Sequence, residues 1–128
     1  MTTLLCFEAD NAEFALPIES VREVRSRQKL APLPAPRPGV AGLIECDGHA
    51  WAVLDLFGTN QHHVVMLDHD GRCFGLLVDV VTRVVTVSEP LGPPPRGQDH
   101  ECIAGVASSD GQLLFVVDVE MIDERLGP

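Results

Sequence analysis

The chain has 128 residues, 45% of them apolar, and a formal net charge of −10. That length fits one domain able to bury about two thirds of the surface its unfolded chain exposes. The apolar content excludes a disordered segment, and the acidic balance argues against nucleic acid, whose binding needs clustered Lys and Arg to displace counterions.

In chain order, strand-like runs recur at short intervals: Leu4–Ala9, Glu13–Pro17, Val21–Arg27, Val40–Cys46, His49–Asp55, Val64–Asp68, Cys73–Val78, Val81–Val87, Ile103–Ala107 and Leu113–Val117. Asp10-Asn11, Asp47-Gly48, Asp70-Gly71 and Asp110-Gly111 punctuate four of the junctions with hairpin turn residues. Short strands at such spacing predict an all-β fold, a small barrel or sandwich. Proline-rich stretches at Leu30–Gly39 and Pro90–Gly97 interrupt the pattern; proline cannot donate to a ladder, so both are fixed surface connections. Asp118 precedes VEMIDERLG, a short helix with Asp at its cap, Glu120 in its first turn, Arg125 near its end and Gly127 just past it. Asp55, ahead of LFG, reads as a shorter version of the same corner. No run reaches the roughly 18 apolar residues of a membrane span. MTTLLCFEAD lacks a basic n-region, so no signal peptide is evident and a cytoplasmic protein is expected.

The runs repeat. LLCFEAD (Leu4–Asp10) lies over VVMLDHD (Val64–Asp70) at a shift of 60, and FALPIESVREV (Phe14–Val24) over FGLLVDVVTRV (Phe74–Val84) at the same shift. GLIECDGHAWAVLDL (Gly42–Leu56) lies over GVASSDGQLLFVVDV (Gly105–Val119) at a shift of 63. One unit of about sixty residues is used twice, and such a unit is marginal alone. Two lobes packed together are expected, the first mainly 14–60 and the second mainly 64–122, with strands at the termini open to exchange between them.

The residues that carry chemistry do not converge. No nucleophile elbow, P-loop, metalloprotease or dinucleotide fingerprint is present. Cys6, Cys46, Cys73 and Cys102 lack metal-ligand spacing and read as small buried apolar residues. His49, His62, His63, His69 and His100 are scattered; His62-His63 has no acidic or Cys ligand at i+2 or i+4, so no metal and no cofactor is expected. Arg22, Arg25, Arg27, Lys29 and Arg37 are five of the nine basic residues, read either as a solvated edge or as a docking patch for an acidic partner. Binding rather than catalysis is the expected class. A groove between two similar lobes would be lined by Val21 and Val24 with Val81 and Val84. Valines three apart cannot both face inward on a flat strand, so a bulge is expected to turn one outward. Paired apolar residues along a groove suit a partner helix. Plain core is the other reading of the four valines.

Ala15–Ile44, GHAWAVLDL (Gly48–Leu56), GLLVDVVTRV (Gly75–Val84), the PPP at Pro93–Pro95 and Gly105–Ile122 are similar to the CheW-like domain of bacterial chemotaxis, in order, over about nine tenths of the chain. The resemblance implies two five-stranded SH3-like barrels packed together. It implies a non-enzymatic adaptor coupling chemoreceptors to a CheA-like histidine kinase whose regulatory domain has the same fold. The receptor's cytoplasmic hairpin tip would bind between the lobes, at positions matching Val21, Glu23, Gly75, Val81 and Val84 here, with Val24 beside them. The kinase domain would dock near Leu33, Pro34, Gly42, Leu43 and Asp47. Asp47 itself is a departure, since the family pattern has arginine there; Ala52 stands for a usual proline. A scaffold of a non-chemotactic pathway and a small-molecule module using the groove are the competing readings.

Overall fold

The computed structural model describes residues 1–57, 60–88, 91–93 and 102–126. Among them, ten strands and one helix follow one another: β1 (Thr2–Ala9), β2 (Ala12–Pro17), β3 (Val21–Ser26), β4 (Val40–Cys46), β5 (His49–Leu54), β6 (His63–His69), β7 (Arg72–Val78), β8 (Val80–Val87), β9 (Ile103–Ser109), β10 (Gln112–Val117) and α1 (Val119–Leu126). A single 3-10 turn, Ile18–Ser20, joins β2 to β3. That turn is not signalled in the sequence. His100, Gly127, Pro90 and Pro94 to Gly97 lie outside the described residues.

Four hairpins close through two-residue turns in which both residues have positive φ: Asp10-Asn11, Asp47-Gly48, Asp70-Gly71 and Asp110-Gly111. This backbone matches the twist of the strands it joins, which is why Asp, Asn and Gly occupy it. Two five-stranded sheets result, ordered β3-β6-β7-β5-β4 in a first lobe and β8-β1-β2-β10-β9 in a second. The two orders are identical once each strand is replaced by its repeat partner. The lobes nevertheless do not follow the ranges 14–60 and 64–122. Hairpin β1–β2 belongs to the second lobe and hairpin β6–β7 to the first, so each lobe takes two strands from one repeat and three from the other.

The exchange explains why LLCF and VVML are unbroken apolar runs. In β1, Leu4 and Cys6 enter the second lobe's own core, whereas Leu5, Phe7 and Ala9 face a layer shared between lobes. In β6, Val64 and Met66 fill the first lobe and Val65 and Leu67 face the shared layer. Strands covered on both faces lose the polar alternation of a half-exposed strand. Phe7, Phe14 and Phe57 meet in the shared layer, with ring centroids 4.9–5.9 Å apart.

Edge strands meet within each lobe. The second lobe's core draws on Val87 of β8 and Ala107 of β9, the two ends of its sheet, so that sheet rolls onto itself. In the first lobe the ends β3 and β4 are linked by polar groups: Arg25 donates to the Glu45 carbonyl at 2.9 Å and the Cys46 thiol to Glu23 at 3.5 Å. Ala31 and Gly92, one in each proline-rich stretch, then lie along β4 and β9. Ala31 and Leu43 exchange two backbone hydrogen bonds, and so do Gly92 and Val106. A Cβ on Gly42 would come within 2.6 Å of the Ala31 carbonyl oxygen, and one on Gly105 within 2.8 Å of that of Gly92. The glycine shared by the two repeats is thus a place where a loop presses on a strand.

After β5 and β10 the chain turns the same corner twice. Asp55 N–H donates to the Gly39 carbonyl at 2.8 Å and Asp118 N–H to that of Cys102 at 2.7 Å. Among the described residues only Asp118 starts a helix, its Oδ1 accepting the Met121 N–H at 3.1 Å as an N-cap does. Arg72 on β7 reaches Asp123 at 3.3 Å and Val119, Ile122 and Leu126 enter the shared layer, which fixes α1 against both lobes.

Candidate functional site

Val21 and Val24 lie on β3, an edge of the first sheet, and Val81 and Val84 on β8, an edge of the second. A bulge interrupts β3 between Val21 and Glu23, so Val21 stands opposite Leu67 and Val24 opposite Val65. Directly opposed residues point to one face of a sheet, and Leu67 and Val65 both face the shared layer. The bulge therefore does not turn one valine outward, as expected from spacing; it keeps both on the same face. The β1–β8 ladder repeats the device, with Val81 opposite Phe7 and Val84 opposite Leu5 across a register shift. Val21 and Val81 pack half-buried against the shared layer, and Val24 and Val84 stand at its rim, 39% and 56% exposed. Hydrophobic side chains in equivalent places at two edges of one apolar layer are a built surface, unlike apolar residues scattered singly.

His63 links the two edges. It begins β6 opposite Ser26 of β3, and its Nδ1 accepts the Val81 N–H at 2.9 Å. One residue therefore joins the end of β3, by its backbone, to the start of β8, by its ring.

Gly75 is not at this surface. It is buried inside the first lobe, where a Cβ would meet Val64 at 3.0 Å and Val53 at 3.1 Å. Glu23 is exposed and belongs to the polar seam, accepting from Arg25 at 2.9 Å. That bond, above all, holds its carboxyl below the usual glutamate range.

The residues expected for kinase docking divide in the same way. Gly42 is buried beneath Ala31 and Leu43 is bridged to it, so both serve the loop contact. Leu33 is half-buried, and Pro34 and Asp47 are exposed. Asp47 is paired within the chain: its carboxylate accepts from the Arg22 guanidinium, which also lies over the Trp51 ring, 5.3 Å from its centroid. The charge reversal at this turn is met by a cation on the neighbouring strand. Of the basic group, Arg22 and Arg25 are engaged in this seam and Arg37 donates to the Leu126 carbonyl at 3.4 Å. Arg27 and Lys29 stay exposed.

Sequence reasoning had Arg22 in a candidate docking patch but not as the partner of Asp47, and missed Trp51 and His63 as parts of the site. Arg22 and Asp47 carry opposite charge on runs that read as strands of one lobe, which is a signal of contact; nothing in the sequence ties His63 to Val81. Among the described residues, no group of three or more His, Cys, Asp or Glu is placed to hold a metal ion. All four cysteines are thiols, and burial, first among the causes, pushes each above its ordinary pKa and away from reactivity.

Comparison with known proteins agrees with this architecture. The model of the CheW-like domain matches residues 3–125. "Chemotaxis protein CheW" of Rhizobium meliloti is 27% identical, covering 93% of this chain and 85% of its own. That of Bacillus subtilis is 21% identical, covering 95% and 86%. The crystal structure of the scaffolding protein TtCheW from Thermoanaerobacter tengcongensis superposes with a TM-score of 0.80 at 22% identity, covering 91% of this chain and 88% of that one. The chain belongs to the CheW-like domain family.

Proposed function

We propose that the chain is a non-enzymatic scaffold of the chemotaxis type, joining the helical cytoplasmic tip of a chemoreceptor to the regulatory domain of a CheA-like histidine kinase in the cytoplasm. The observation that carries the receptor half is the pair of rim valines, Val24 and Val84, exposed in equivalent positions at the two edges of the shared layer. An amphipathic helix laid there adds its apolar face to a layer already built. The kinase half rests on Leu33, Pro34 and Asp47 on the first lobe's outer surface, Asp47 acting together with Arg22. Among the described residues no helix is long and apolar enough to cross a membrane.

The test is paired titration of the full chain with a receptor-tip fragment and with the kinase regulatory domain from the same cell. Val24→Asp and Val84→Asp should each weaken tip binding by about tenfold or more, since charge is depleted from interface cores, and leave kinase-domain binding intact. Asp47→Arg should reverse the pattern. Loss of neither interaction in any variant would refute the assignment of surfaces, and absence of tip binding by the unaltered chain would refute the function.

A further inference from the structure

The amides of Val21 and Val81, repeat partners at the starts of β3 and β8, are satisfied differently. At the start of β3 the Val21 N–H donates to the Ile18 carbonyl, closing the 3-10 turn that precedes it. No such turn precedes β8, where β7 ends at Val78 and β8 begins at Val80. The Val81 N–H therefore has no turn carbonyl like that of Ile18 to donate to, and an edge-strand amide left unpaired in a half-buried place is costly. It is given instead to His63 Nδ1, across the lobe boundary, at 2.9 Å. The repeat counterpart of His63 is Thr3, whose hydroxyl lies 3.3 Å from that of Thr86 within its own lobe and does not cross over. One end of the seam is thus stapled by an imidazole and the other is not.

We infer that His63 is a positioning residue for the receptor surface: as a neutral acceptor it holds the first turn of β8 and so sets where Val81 and Val84 stand relative to Val24. The inference rests on the receptor surface proposed above. An acceptor at Nδ1 requires the proton of the neutral ring to sit on Nε2. Among the described residues, no group of three or more His, Cys, Asp or Glu that could hold a metal ion includes His63, and the bond to Val81 is what its ring makes.

The experiment compares His63→Asn, whose Oδ1 can take the place of Nδ1, with His63→Leu, which has the bulk but no acceptor. In the full chain, His63→Leu should weaken receptor-tip binding by about tenfold and speed hydrogen exchange at the Val81 amide, the expected consequence of leaving that donor unpaired. His63→Asn should restore both to within about threefold of the unaltered chain. Kinase-domain binding should be the same in all three, which also reports that the variants fold. Nitrogen-15 spectra of the unaltered chain should show His63 as the Nε2–H tautomer. Equal behaviour of Asn and Leu, or the Nδ1–H tautomer, would overturn the inference. If the unaltered chain fails to bind the tip, the function reading falls and takes the positioning role with it, whereas the exchange and tautomer measurements still judge the bond itself.

Discussion

The two lobes share one strand order yet are filled and closed differently. Inside the first lobe stand Met66, Trp51 and Ile44 where the second has Cys6, Leu114 and Ala107. Gly75 stands in the first lobe where Ala15 stands in the second, and the missing methyl leaves room beside Met66. Interiors are packed to a fixed density, so bulk gained at one position is lost at a neighbour. The closing seams differ as well. Arg22 and Arg25 reach from β3 to the β4–β5 hairpin, where the repeat places Thr82 and Val85 on β8; in the second lobe Arg83 makes the reach instead, donating to Gln112 of the β9–β10 hairpin at 2.9 Å. The difference teaches that duplication preserved topology and the shared apolar layer, and left each lobe's interior and seam to vary in compensating groups.

The largest test of this contrast is Trp51→Ala, which should cost about 4 kcal/mol, against about 3 for Leu114→Ala. Urea midpoints at constant slope measure both, and equal costs would deny the first lobe its heavier filling. Where the lobes are alike, they should respond alike. Gly42→Val and Gly105→Val each force a proline-rich connection off its strand and should cost about 2–3 kcal/mol. A loss confined to one lobe would break the equivalence of the two loop contacts.

Gly75→Ala should cost about 1 kcal/mol by overpacking, because the added methyl meets Val64 and Val53 at 3.0–3.1 Å and Met66 at 3.4 Å. Adding Met66→Cys, which copies the second lobe's pair, should recover part of that loss as a coupling in a double-mutant cycle. Strict additivity would refute the exchange of volume. At the seam, Arg22→Ala should lower stability by no more than about 1 kcal/mol, since its partner Asp47 is exposed. Salt should shrink the effect, and Thr82→Ala in the second lobe should show no such salt dependence.

The smallest effect is in acid. The Arg25 hydrogen bond leads the causes that place the Glu23 carboxyl below its ordinary value of 4.5. A depressed folded-state pKa stabilises above the unfolded value and the contribution is lost as pH falls through the folded one. Glu23→Gln should therefore flatten the pH dependence of stability below about 4.5 and leave only a small, pH-independent loss near neutrality.

Much of the fold is legible because its signals are local. The Asp-Gly and Asp-Asn turns demand positive φ, and the repeated blocks mark each strand within a residue or two. The hairpin exchange is not legible, because β1–β2 offers the same apolar pattern to either sheet and only pairing partners decide. At the site, the valines are legible as repeat partners with a forbidden spacing. Gly42 and Gly75 mislead, since a residue without a side chain gives no sign of what would crowd it.

By itself the sequence determined a duplicated all-β chain, its turns, its capped helix and four valines too closely spaced for a flat strand. The tertiary structure alone decided which lobe each hairpin joined, that both bulges kept those valines on one face, that Arg22 answered Asp47 and that His63 answered Val81. Local pattern records what a residue requires of its neighbours in the chain; partners brought from dozens of residues away are chosen by packing, and packing leaves no local trace.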